Sequence, residues 1–107
     1  MKSGRKFEKA LLKTVDGELK QIFGENATHV IYNYLKHDQR LEPKEIPQKI
    51  DVFFEGLHNF LGSGACVVEQ TVLKKLHLKY GRQYQTKEGY TFVDYIAELK
   101  KSLRNNK

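Results

Sequence analysis

The stretch FLGSGACVVEQTVLKKLHLKYG, Phe60 to Gly81, decides the fold. It sets Gly62-Ser63-Gly64 between two apolar helical stripes and puts the chain's single cysteine, Cys66, just past the junction. Three readings compete: a phosphate-cradling loop, a thiol activated by a helix start, and a tight corner between packed helices. A phosphate loop needs lysine followed by serine or threonine after its second glycine, and a strand before it. Here Ala65 and Cys66 hold that place and a helical stripe precedes, so that reading fails. A thiol near a helix N-terminus is acidified by the exposed amides. Ala65, Val67 and Val68 are apolar neighbours that act in the opposite direction, and His29, His37 or His58 would have to approach through the fold. The corner accounts for every residue: Gly62 closes one helix, Ser63 caps the next, Gly64 admits close backbone approach, and Cys66 packs as a small hydrophobe. The rod that follows is apolar nearly all round at Ala65, Cys66, Val67 and Val68, then at Val72, Leu73 and Leu76. A helix without a polar face is surrounded by others, so this fourth helix, ending at Gly81, is expected at the centre.

Working outward, the same periodicity repeats. Phe7, Leu11, Val15, Leu19 and Ile22 form one stripe of a first helix, with Gly17 as a point for a bend and Gly24 as its left-handed close. NATHVIYNYLKHD (26–38) predicts a second helix capped by Asn26, with Val30, Ile31, Tyr34 and Leu35 as its face and Lys36 and His37 in the last turn. Pro43 and Pro47 interrupt the pattern and leave a connector with one turn of its own. From Ile46 the stripe Ile46, Ile50, Phe53, Phe54, Leu57, Phe60, Leu61 predicts the third helix. RQYQTKEGY (82–90) lacks periodicity and reads as a loop. Thr91 with Asp94 makes a capping box, and Tyr90 and Tyr95 stand at staple positions, starting a fifth helix buried through Phe92, Tyr95, Ile96 and Leu99. The expectation is an all-α bundle of about five helices in one domain over residues 1–107, with residues 1–5 and 101–107 as frayed basic tails. Helix four is its centre, and helices one, three and five pack on it.

The 107 residues carry a net charge of +6, with 39% hydrophobic and 30% charged side chains, the composition of an ordinary globular protein. The longest apolar run, Ala65–Val68, excludes a membrane-spanning segment. The basic start has no apolar core of the signal-peptide kind, so a cytoplasmic location is expected. Charge is uneven: residues 1–13 hold five bases and one acid, residues 16–72 nine acids and five bases, and residues 73–87 five bases and no acid. KKLHLKYGRQYQTK interleaves Lys74, Lys75, Lys79, Arg82 and Lys87 with Tyr80 and Tyr84, and cations among stacking rings suit nucleic acid or an acidic partner. The competing account is that lysines gather at a helix C-terminus and the tyrosines anchor the loop. The candidate contacts are therefore Lys74, Lys75, Lys79, Arg82, Tyr84 and Lys87.

Catalysis finds no support: no set of residues combines the right types with the right spacing. His29, His37, His58 and His77 make no H-x-x-x-H pair and have no carboxylate at ligand spacing, which predicts separate histidines. One cysteine excludes an internal disulfide and a cysteine-based zinc site, so neither metal nor cofactor is expected. Asp16 and Glu18 fall on different helix faces. Glu69 lies in the most apolar turn of helix four, either paired with a lysine across the bundle or emerging between neighbours.

FEKALL (7–12), IFGENATHVIYNYL (22–35), EIP (45–47), FLGSGACVVEQTVLKKL (60–76) and KEGYTFVDYI (87–96) together resemble an archaeal family of small helical output domains, the fifth type of the group first named for Nitrosopumilus. The resemblance covers most of the chain and carries no catalytic signature. It implies an archaeal cytosolic protein acting in signalling or regulation by binding another macromolecule, with a protein partner or self-association ahead of nucleic acid. Generous apolar stripes point the same way, since Phe53, Phe54 and Phe92 look too many for one small core. The alternative is DNA or RNA binding through residues 74–87 and the basic termini.

Overall fold

The computed structural model describes the backbone of residues 2–105 and the side chains of residues 6–103. Its described residues form five α-helices and no strand: α1 (Lys2–Phe23), α2 (Glu25–Asp38), α3 (Ile50–Leu61), α4 (Gly64–Lys79) and α5 (Phe92–Asn105), with a 3-10 turn at Pro43–Glu45. The all-α bundle of five helices is therefore what the chain forms. α4 packs on α1, α3 and α5, as expected, but α1 and α3 each also touch three neighbours, so the centre is shared. α2 bridges α1 and α3 on one side. A single apolar cluster runs through all five helices and includes Leu11, Leu19, Ile31, Phe53, Leu57, Val72, Leu76 and Ile96.

The joints follow from backbone chemistry. Gly24, at φ 88°, is the whole connection between α1 and α2: its N–H donates to Lys20 O at 2.8 Å and its carbonyl accepts from Thr28 N at 3.0 Å. Only glycine takes that left-handed φ cheaply, so one residue both closes α1 and opens α2. Asn26, expected as the cap, is instead inside the first turn. α1 runs unbroken through Gly17, and it already includes Lys2, so the basic start is helix rather than tail; likewise α5 reaches Asn105. Residues 1, 106 and 107 of the expected tails lie outside the described residues.

α3 begins at Ile50, not Ile46. Pro43 and Pro47 hold the chain in turns, and Ile46 is fully buried there without being helical. The capping box of α5 is formed: Thr91 N donates to an Asp94 carboxylate oxygen at 2.9 Å and Asp94 N donates to Thr91 Oγ1 at 3.2 Å. Its staple rings, Tyr90 and Tyr95, lie 5.1 Å apart. Phe53, Phe54 and Phe92 all fit one core, with Phe54 rings 4.7 Å from Phe53 and 3.8 Å from Phe92, so aromatic surplus gives no reason for a dimer.

At the α3–α4 corner Gly62 takes φ 63° and donates to His58 O at 2.8 Å, as a helix-closing glycine should. Ser63 holds the cap position without a side-chain cap bond, and a Cβ on Gly64 would meet only Leu61 Cβ at an ordinary 3.7 Å. The close approach that does need glycine is at Gly56, where a Cβ would lie 2.6 Å from Leu35 Cδ2 across the α2–α3 contact. α4 itself is not enclosed on all sides. Ala65 and Val68 are fully buried, but Cys66 is exposed and Val67 is 52% exposed. The four-residue apolar run spans more than half a helical turn, so part of it must point away from the bundle.

Candidate functional site

The six candidate contacts around residues 74–87 do not form one free basic face. Lys75 Nζ sits 3.2 Å from Glu18 Oε2, a carboxylate on the nearly buried Glu18 of α1. Lys87 Nζ donates to both oxygens of Glu98 at 2.7 and 2.8 Å and lies 5.2 Å from the Tyr90 ring centre. This hydrogen bond from Lys87, then one from Tyr90, holds the Glu98 carboxyl below its ordinary range, and the same contact raises Lys87. Arg82 Nε donates to Ser102 Oγ at 3.2 Å. Tyr84 is half-buried, its ring 5.4 Å from those of His77 and Tyr95, and burial pushes its hydroxyl above the usual value. It anchors the loop rather than offering a stacking platform. Among the described residues, Lys74 and Lys79 are exposed and form no ion pair.

The backbone of the loop is also fastened to α5, through a phenol. Tyr95 OH accepts from Lys87 N at 2.7 Å and donates to Lys87 O at 3.2 Å. So fixed, the loop forms one wall of a 440 Å³ cleft against α4 and the end of α3, lined by Tyr84, Thr86 and Tyr90 on the loop and by His58, Cys66 and Glu69 opposite.

Those last three residues meet. His58 Nε2 lies 2.6 Å from Glu69 Oε2, and one donor atom from each of His58, Cys66 and Glu69 lies within 4.8 Å of the other two. His58 stands in the last turn of α3, Cys66 in the first turn of α4, and Glu69 one turn later on the same face. The expectation of separate histidines thus fails for His58, and Cys66 is an exposed thiol rather than a packed hydrophobe. Glu69 does pair across an element boundary, though with a histidine. Cys66 and Glu69 at i, i+3 were legible as sharing a face. Their meeting with His58 depends on the turn at Gly62, which no spacing rule encodes. The one buried histidine among the described residues, His77, is structural: its Nδ1 donates to Leu73 O at 2.7 Å.

A second surface is apolar. Val30 and Tyr34 are neighbours one turn apart on α2, and the Tyr34 ring lies 4.7 Å from that of Phe60 on α3. Val30 is 54% exposed and Phe60 40%. No helix among the described residues is long and apolar enough to cross a membrane. No known protein family, curated protein or solved structure matches the chain.

Proposed function

We propose that this chain is a non-catalytic interaction module that binds another protein through the α2–α3 face, in the setting of archaeal signalling or regulation. The observation that carries this reading is the Val30–Tyr34–Phe60 cluster, where two helices present adjoining apolar side chains to water. Single exposed apolar residues are ordinary; an aromatic pair extended by a valine on the adjoining turn is the composition found at interface centres. The archaeal signalling setting rests on the sequence resemblance alone; a cytoplasmic location rests on that resemblance and on the basic start without an apolar core.

The test places a photo-crosslinking residue at position 60 and, as a control, at exposed position 13 in the full chain, expressed in cells. One adduct of defined mass at position 60, absent at 13 and lost in Val30→Glu, supports the reading. Equal, diffuse labelling at both positions refutes it. If the adduct has twice the chain's mass, the partner is a second copy.

Nucleic-acid binding is the alternative reading. It draws on Lys74 and Lys79, which project from α4 without acidic neighbours in contact, beside the partly exposed Arg82. Lys75 and Lys87 are already paired within the chain, which reduces the charge available to phosphates. Salt-sensitive DNA affinity that disappears in Lys74→Glu/Lys79→Glu would favour it over the protein-binding reading.

A further inference from the structure

We propose that His58, Cys66 and Glu69 form a site for a divalent transition metal of the zinc type, with a fourth position open to the cleft. The donor set is the first argument. One thiol, one imidazole and one carboxylate suit zinc and its neighbours, whereas calcium and magnesium call for oxygen alone.

Convergence is the second. In a thiol–imidazole–carboxylate relay the acid and the thiol sit on opposite ring nitrogens, which sets sulfur and oxygen roughly 7 Å apart. Here all three donor atoms fall within 4.8 Å of one another, so sulfur and oxygen close on a common point instead of bracketing the ring. A tetrahedral ion with bonds of about 2.0–2.3 Å holds its ligand atoms about 3.3–3.8 Å apart. The His58–Glu69 edge must therefore open from 2.6 Å, and the edges to sulfur, at no more than 4.8 Å, are within about 1.5 Å of that range. Side chains that are 42% and 23% exposed at His58 and Glu69 have room for both movements.

Support from the backbone is the third. Cys66 and Glu69 stand on consecutive turns of a sixteen-residue helix, and His58 is carried by α3, whose end is fixed to α4 by the Gly62 turn. Three protein ligands on two braced helices, beside a solvent-reaching cleft, match sites that keep one position for water or an incoming donor.

Binding exchanges bonds in a balanced way. The His58–Glu69 hydrogen bond breaks and the neutral imidazole carries its proton on Nδ1 instead of Nε2; metal–nitrogen, metal–oxygen and metal–sulfur bonds replace bonds from the metal to water, and those waters and the thiol proton leave to solvent.

The test is cobalt(II) titration of the full chain, read by absorption. The expected result is a near-ultraviolet thiolate-to-cobalt charge-transfer band with intense visible bands of four-coordinate cobalt, both removed by zinc(II). Cys66→Ser should abolish the charge-transfer band, and His58→Gln and Glu69→Gln should each weaken apparent affinity by more than about tenfold. All three side chains reach the surface, and circular dichroism checks that each variant is helical. In parallel, zinc should slow modification of Cys66 by a thiol reagent in the unsubstituted chain, a readout that needs no variant. A native chain without the charge-transfer band, an unchanged affinity in His58→Gln or Glu69→Gln, or no protection of the thiol would each overturn the site. None of these results bears on the α2–α3 face, so the two readings stand or fall separately.

Discussion

The two sides of α4 share a spacing and differ in exposure. Ala65, Val68, Val72 and Leu76 recur at three- and four-residue steps and are fully buried against neighbouring helices. Val67, Gln70, Lys74 and Leu78 recur at the same steps and stand in water, with Leu78 76% exposed. Valine and leucine appear on both sides, so residue type alone does not reveal which side is inward. What separates them is the position of α1, α3 and α5, and that is a property of the whole chain.

The strongest way to break the comparison is to put the same charge on each side. Val68→Asp buries an unpaired carboxylate and should cost about 4 kcal/mol or more, enough to remove the cooperative thermal transition. Val67→Asp, one residue earlier, should change stability by less than about 0.5 kcal/mol. Similar melting of both proteins would mean that α4 is not oriented as described. Truncation sharpens the contrast: Leu76→Ala should lose about 2–5 kcal/mol by urea denaturation. Leu78→Ala should stay within about 0.5 kcal/mol of the parent.

The same inside–outside rule predicts opposite signs for two helical glycines. Gly56→Ala drives a Cβ to 2.6 Å from the buried Leu35, an overpacking that outweighs the gain in helix propensity and leaves a net loss of about 1 kcal/mol. Gly17→Ala meets nothing within 4 Å on the exposed side of α1 and should gain about 1 kcal/mol. Calorimetry of the pair reads both signs.

The smallest effect lies in the exposed contact of Lys87 with Glu98. Because the folded Glu98 carboxyl sits below its ordinary value, its contribution is present above the unfolded value and fades as acid takes the pH through the folded one. Lys87 is raised, so its own contribution disappears only in alkali above the ordinary lysine range. Tyr90 ring resonances should therefore hold steady across neutral pH and shift as the solution is made acid, and Glu98→Gln should abolish the acid shift without changing the melting temperature measurably.

Much of this architecture was legible residue by residue. Gly24, Gly62 and Gly81 end helices because each needs the left-handed conformation, and Thr91 and Asp94 start one because their side chains reach each other's amides. The errors share a cause. Ile46 looked like the first rung of α3, yet an apolar residue can be buried from a turn as well as from a helix. Asn26 looked like a cap because nothing in sequence shows that Gly24 alone joins two helices. The thiol cluster was hidden for a related reason: His58 and Glu69 are eleven residues apart, a separation that carries no meaning until the corner folds one helix back along another.

The phenol of Tyr95, held by both polar backbone atoms of Lys87, makes the 82–91 segment a passenger of α5. Lys87 and Tyr90 add side-chain bonds to Glu98 of the same helix, so α5 sets where this bank of the cleft stands, while α3 and α4 set the other. The width of the cleft over the exposed thiol is thus written into the seating of the last helix.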